Sequence, residues 1–423
     1  MTHRPTPLAA LLLALLAVTP APAADPAPAT RPAAATDWPA WRGPLGTGAA
    51  ADADLPLTWS ATENVVWKTP IPGVGHSSPI VSGGRIFVTT CLTQNAKRVL
   101  LCLDRADGKV LWEREVVTAP LERKNNLNSY ASSTPATDGQ RVYAAFLAGP
   151  KPVVACYDFD GALVWKTNPG TFKSVHGWAT SPVLYKDLVI QNCDQDDVAF
   201  IVAFDKLTGQ ERWRADRPNR TRSYVNPVIT TLAGRPQLLL SGSKCVASYD
   251  PDTGKQLWQV DGPTEQFAAS LVWARGLVFV TGGFPEYHLM AIRPDGDGNV
   301  SKTHVVWHHK KTPLAAYVPS PVADESRFYV VNDDGKATCL DAMTGEKFWS
   351  ERLGRHHSPS PVIAAGRIYF LDDDGVTHVV RASDKFERLA KNDLGAPCRA
   401  SPAIAGGQFF IRTAQDLYCI GRK

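Results

Sequence analysis

From residue 65 onward, apolar residues come in short runs rich in Val, Ile, Leu, Phe and Tyr, broken by Gly or Asp-Gly turns. Runs of this length and composition predict β-strands, and no long helical period interrupts them. One landmark recurs eight times: Ser-Pro or a close variant, then apolar residues, then a turn. Clear copies are SPIVSGGRIFVTT, SPVADESRFYVV, SPVIAAGRIYFL and SPAIAGGQFFIRT; STPATDGQRVYAAF, SPVLYKDLVIQ, NPVITTLAGRPQLLL and SLVWARGLVFVTG are looser ones. A second landmark follows each of the first: CLDRADGKVLW (102–112), CYDFDGALVW (156–165), AFDKLTGQERW (203–213), SYDPDTGKQLW (248–258) and CLDAMTGEKFW (339–349).

The repeat Trp residues fall at 67, 112, 165, 213, 258, 307 and 349, and an eighth, degenerate copy has Leu389 instead. A unit of 40–50 residues with four short strands is a propeller blade. Gly83-Gly84, Gly366 and Gly406-Gly407 supply the backbone freedom of the first turn, and Asp-Gly or Thr-Gly makes the last. A lone blade cannot bury both faces, so the Trp that opens each outer strand is expected to join neighbouring blades rather than to hold a ligand. The last unit has room for three strands, and NVVWKTPI (64–71) is an outer strand with no blade before it. Pairing them closes the ring and removes two open edges. The fold expected is all-β: an eight-bladed propeller of four-stranded antiparallel blades, closed by an N-terminal strand.

Ahead of the repeats, Arg4, the apolar run Leu8 to Val18 and Ala21-Pro22-Ala23 have the layout of a cleaved export signal over residues 1–23. Residues 24–36 are Ala/Pro-rich and predict a flexible tether, leaving 37–423 as the propeller. No Cys precedes Cys91, so no acylated N-terminal Cys is expected, and no later stretch has transmembrane length. The expected location is the periplasm or outside the cell. The formal charge of +4 is too small and dispersed for a nucleic-acid footprint. Export permits disulfides, yet Cys102, Cys156 and Cys339 each sit two residues before the repeat Asp, and Cys419 takes the matching place. Ala203 and Ser248 occupy that place elsewhere, so the position asks for a small buried side chain. Cys91, Cys193, Cys245 and Cys398 are left unassigned.

The pattern small-x-Asp-x-x-Thr-Gly-x-x-x-Trp resembles the tryptophan-docking motif of PQQ-like (pyrroloquinoline-quinone-like) propeller repeats. The resemblance covers about residues 37–423, and DWPAWRGPLGTG (37–48) is similar to the opening segment of secreted members of unsettled function. The resemblance implies the fold but not the activity, because the superfamily holds both quinoprotein dehydrogenases and the propeller lipoprotein that scaffolds outer-membrane protein assembly. The adjacent Cys pair that the dehydrogenase branch carries is absent here, as are C-x-x-C-H and a lipid-acceptor Cys.

Residues just before the inner strands rim a propeller channel. Here they are His76, Tyr130, His176, Trp178, Tyr224, Phe267, Tyr317, His356, His357 and Arg399. Imidazole, phenol and guanidinium groups suit an anionic or aromatic small ligand or a peptide; a wet channel without a ligand is the other reading. Asp194, Asp196 and Asp197 read as a solvated loop, and Asp333-Asp334-Gly335 and Asp373-Asp374-Gly375 as turn chemistry. Asp295-Gly-Asp297-Gly-Asn299 begins like a calcium loop but has Val300 and Val306 where Gly and Glu are required. Ser241-Gly-Ser-Lys244 matches S-x-x-K without its companion motifs. With no catalytic constellation and no metal set, the residues favour a non-enzymatic binding or scaffolding propeller. The alternative is a PQQ-dependent dehydrogenase, with PQQ and Ca²⁺, oxidising an alcohol or sugar.

Overall fold

In a computed structural model the described residues are 1, 2, 37–51 and 54–422. The expected export signal and tether fall almost wholly outside them. The chain divides into two units, Met1–Ala33 and Ala34–Lys423, and every strand belongs to the second. No helix among the described residues is long and apolar enough to cross a membrane.

The strands form eight sheets, each an antiparallel meander of four, as the repeat predicts. Blade one is Ile80–Ser82, Arg85–Leu92, Lys97–Asp104 and Val110–Thr118, from channel to rim. Blades two to seven follow in chain order. Blade eight takes Ala403–Ala405, Gln408–Arg412 and Asp416–Ile420 from the C-terminal side and Val65–Pro70 as its outer strand, with Trp67 opposite Cys419. Two blades gain a fifth, parallel strand: Gly298–Asn299 on the rim of blade four and Ala49–Ala50 on the inner edge of blade seven.

The register explains the small repeat position. Cys102 faces Trp112, Cys156 faces Trp165, Ala203 faces Trp213, Ser248 faces Trp258, Ala291 faces Trp307 and Cys339 faces Trp349. A small side chain there leaves room for an indole lying over the sheet. All eight cysteines are buried and free. The indole then reaches the next blade: Trp112 Nε1 donates to the Phe159 carbonyl at 2.8 Å and Trp165 Nε1 to Lys206 at 2.9 Å. Trp67 Nε1 donates to Arg105 at 2.9 Å, so the same contact crosses the closure. Each ring lies on the turn glycine of that neighbour. A Cβ on Gly161 or Gly209 would stand 3.0 Å or 2.6 Å from the indole. Trp258 differs: it bonds Gln237 within its own blade, at 2.8 Å, because blade five has an irregular insertion in place of the Thr-Gly turn.

Leu389 also has a structural reason. The third and outer strands of blade eight come from opposite parts of the chain, so no hairpin joins them and a blade-seven Trp would have no turn to pack on. Trp59 fills that junction, stacking near Tyr369 at 6.4 Å and Phe409 at 5.1 Å. The segment before it crosses the inner strands at the end carrying the first turns. Trp38 pairs with Val81 of blade one, the Pro39 carbonyl accepts from Thr137 of blade two, and Gly46 lies on Val228 of blade four. Arg42 bonds the Pro321 carbonyl of blade six, and Gly48 accepts from Ile363 of blade seven. The channel is thereby floored at one end.

Candidate functional site

The Ser-Pro landmark forms a belt around the channel. The backbone N–H of Ser78 donates to Thr134 Oγ1, that of Thr134 to Ser181 Oγ and that of Ser181 to Asn226 Oδ1, at 2.9, 2.9 and 2.6 Å. Asn226 donates likewise to Ser270 Oγ, Ser270 to Ser320, Ser320 to Ser360 and Ser360 to Ser401, at 3.1, 2.9, 2.9 and 2.9 Å. Each side-chain oxygen satisfies a buried N–H of the preceding blade, which a Pro-flanked inner strand leaves without a ladder partner. The belt holds the loops above it at fixed positions, and those loops build the open mouth.

The mouth encloses a cavity of about 230 Å³. Of the residues expected at the rim, His76, His176, Tyr224, Tyr317 and Arg399 come together there, joined by Asn125, Leu127, Asn128 and Ser358. The His176 and Tyr224 rings lie 5.9 Å apart, and the Tyr224 hydroxyl is 3.3 Å from Ser174 Oγ. Burial, reinforced by Arg412, Arg399 and Lys124, pushes the His76 imidazole down to about 4. Burial also lowers His176 and pushes the Tyr317 phenol up to about 12. Near neutral pH these imidazole and phenol groups are uncharged hydrogen-bonding and aromatic surfaces, with Arg399 the charged group in the wall.

Other expected residues lie elsewhere. Tyr130 is half-buried beside the mouth, flanked by Arg98 at 5.9 Å and Lys124 at 5.2 Å. Trp178 is buried, edge-on to Phe172 at 4.9 Å, and Phe267 is buried against Gly282. His356 is exposed, while His357 turns inward near Asp372 with neither ring nitrogen hydrogen-bonded. Neighbouring residues in an extended loop point to opposite sides, so adjacency to Ser-Pro does not determine which of them faces the channel.

Two acidic features do more than their sequence context suggests. The loop expected around Asp194 is solvated only in part: Asp197 is exposed, but Asp194 is buried and grips Arg217 through two bonds, 2.9 and 3.0 Å, while the half-buried Asp196 pairs with Arg222 at 2.8 Å. The Asp-Asp-Gly turns also anchor the mouth. Asp333 accepts the N–H groups of Tyr317 and Val318 at 2.7 and 3.0 Å. Asp373 accepts the N–H of Ser358 at 2.7 Å and the Arg399 guanidinium at 2.9 Å. Periodicity marked these turns; their reach toward the mouth needed the fold.

Below the mouth lies a second chamber of about 140 Å³, with His76, Tyr224 and Arg399 above and Trp41 of the crossing segment below. Ser78, Ser181, Ser360 and Ser401 of the belt line it. Arg412, on the second strand of blade eight, is buried against Ser77 and Thr89 of blade one, donating only to their carbonyls, at 3.2 and 2.7 Å, among the described residues. Arg412 ends the apolar run Phe409-Phe410-Ile411 at a position where the equivalent strands carry Thr89 or Val331, and that charge is the sequence signal that marks it.

A PQQ-like repeat family model described as outer membrane protein assembly factor BamB matches residues 49–149, 119–283 and 299–388, well over half of the chain. The chain belongs to this PQQ-like propeller family. No curated protein matches the sequence. Among solved structures, BamB from Moraxella catarrhalis is similar at 13% identity and TM-score 0.61, covering 85% of this chain and 97% of that one. Quinohemoprotein alcohol dehydrogenase from Comamonas testosteroni is similar at 14% and 0.66, covering 92% and 82%. The computationally designed Ika8 protein is similar at 11% and 0.62, covering 84% and 99%. At these identities the likeness is one of fold: an assembly factor, an enzyme and a designed protein share the PQQ-like propeller shape.

Proposed function

We propose that this PQQ-like propeller is a non-enzymatic binding or scaffolding module, exported to the periplasm or beyond, which holds a protein segment or a small anionic or aromatic ligand at its channel mouth. The observation that carries this reading is the chemistry of the mouth. Its walls are neutral imidazole, phenol, amide and hydroxyl groups around Arg399, and no carboxylate lines the cavity. Concave, mostly apolar walls with a few fixed polar groups are what recognition requires. The similarity to the assembly factor supports a protein-binding role, and the layout of residues 1–23 supports export.

The dehydrogenase alternative needs PQQ held with Ca²⁺, and Ca²⁺ needs several converging oxygen ligands. Among the described residues no group of three or more His, Cys, Asp or Glu side chains is placed to hold a metal. Of the carboxylates around the mouth, Asp333 and Asp373 are committed to loop N–H groups and to Arg399, and Asp196 to Arg222. The residues present do not fit a Ca²⁺-held quinone. The test is a titration of the purified protein with PQQ and Ca²⁺, combined with a dye-linked alcohol and sugar oxidation assay. The expected outcome is no dye reduction above background. Saturable micromolar binding with dye reduction overturns the proposal and makes the mouth an active site.

A further inference from the structure

The chamber below the mouth has an uneven set of hydrogen-bonding groups. In the belt, Ser181 and Ser401 each accept a backbone N–H from the preceding blade through Oγ, as does Ser360, and none of these hydroxyls has an acceptor for its own proton. Ser78, 2% exposed, makes no side-chain hydrogen bond at all among the described residues. Four buried O–H donors thus surround one small space. A buried donor without an acceptor is destabilising, so a space with several of them is built to be filled by an acceptor. The local charge has the matching sign. Among the described residues no carboxylate lines the chamber; Arg399 at its upper edge is paired with Asp373, outside that lining, at 2.9 Å, so the uncompensated charge is that of the buried Arg412 guanidinium, which has carbonyl partners only, one of them Ser77 next to Ser78. His76, in contact with the same space, has its imidazole lowered by burial first and then by Arg412 and Arg399. Access is one-sided, because Trp41 and the crossing segment close the far end.

We propose that the axial chamber is an oxyanion site: the hydroxyls of Ser78, Ser181, Ser360 and Ser401, under the field of Arg412 and Arg399, take the carboxylate, phosphate or sulfate group of a ligand whose ring or apolar body occupies the mouth above. The volume of about 140 Å³ suits one such group and leaves the ring to the mouth cavity above, walled by His176, Tyr224 and Tyr317. The chamber contributes charge selection and the mouth contributes shape and stacking, so a ligand with both parts binds better than either fragment. This rests on the mouth being a binding site, and the following probes separate the two ideas.

The full chain is titrated calorimetrically with inorganic phosphate, sulfate, benzoate and benzamide, the last being a flat ring of matching size without the charge. Phosphate and benzoate are expected to saturate, with benzoate the tighter and benzamide weaker by about 10-fold or more, since a hydrogen bond to a charged group is the stronger kind. Ser78→Ala removes a donor that holds no part of the belt, and it is expected to weaken phosphate by about 10-fold. Ser78→Asp places a like charge in the chamber and is expected to abolish anion binding; should it fail to fold, the alanine variant decides. No heat with any of the three anions at millimolar concentration, or phosphate affinity unchanged in Ser78→Ala, overturns the oxyanion site. Equal binding of benzoate and benzamide also overturns it while leaving the mouth as a site. Phosphate binding with no gain for benzoate keeps the chamber and overturns the mouth reading.

Discussion

Replacing Asp194 by Asn tests how the loops of blades three and four are held. Asp194 and Arg217 are both inaccessible to solvent. Arg217 spends every donor it has: Nε and Nη2 on the two Asp194 oxygens, Nη2 again on the Gly242 carbonyl at 2.7 Å, and Nη1 on the Tyr249 hydroxyl at 2.9 Å and Cys245 Sγ at 3.4 Å. The substitution keeps the shape but removes the charge and turns one acceptor into a donor facing a donor. Breaking one side of such a pair costs about 3–5 kcal/mol, because the remaining charge stays buried. Unfolding entropy of ~2.1 cal/mol/K per residue over a cooperative unit of this size converts that to a Tm drop of roughly 3–6 °C. Differential scanning calorimetry reads it directly. The double variant Asp194→Leu/Arg217→Met is expected to recover much of the loss, since an apolar pair of similar volume avoids desolvating charge. A Tm for Asp194→Asn within about 1 °C of the parent would show that water reaches the pair.

Two further perturbations probe the blade junctions and the buried histidine. Gly209→Ala puts a Cβ 2.6 Å from the Trp165 indole at φ +71°, and a loss of roughly 2–4 kcal/mol in urea unfolding is expected. Gly276→Ala, at φ +73° with open space around it, is expected to lose only the backbone part, about 1–2 kcal/mol, and equal losses would refute the packing argument. His357 is buried and its imidazole is pushed down to about 4, by burial first, against the attraction of Asp372 and with His378 and His356 opposing its charge. Between about pH 6.5 and 4 the unfolded chain binds this proton and the folded chain does not, so stability rises with pH there by up to about 1.4 kcal/mol per pH unit. Below about 4 this contribution stops changing. His357→Leu is expected to flatten the slope by that amount, measured as ΔG of urea unfolding across this range, and an unchanged slope would refute the assignment.

The strands, the turns and the count of eight were legible in the chain because each depends on local pattern: short apolar runs, Gly at a forced turn, Trp a fixed distance after Thr-Gly. Ring closure was legible too, since an outer strand without a blade and a blade without an outer strand leave one economical pairing. The physical reason for the small residue before the repeat Asp, a Trp directly across the ladder, appears only with the register. The Ser-Pro landmark was visible as a pattern, but its role as a belt of side-chain acceptors required seeing eight inner strands side by side.

The site divides along the same line. Which residue types stand near the channel follows from position in the repeat, and five of those expected meet in one cavity. Which neighbour in a loop turns inward, as Trp178 and His357 do, depends on packing against the next blade. Asp373 reaches Arg399 and Arg412 reaches Thr89 on the next blade, while Asp194 and Asp333 bond loops of their own blade 15 or more residues away, and sequence order carries no signal of such pairings. Local chemistry along this chain is enough to specify a propeller. Convergence across blades decides where its charges meet, because an electrostatic field depends on distances that only the closed ring sets.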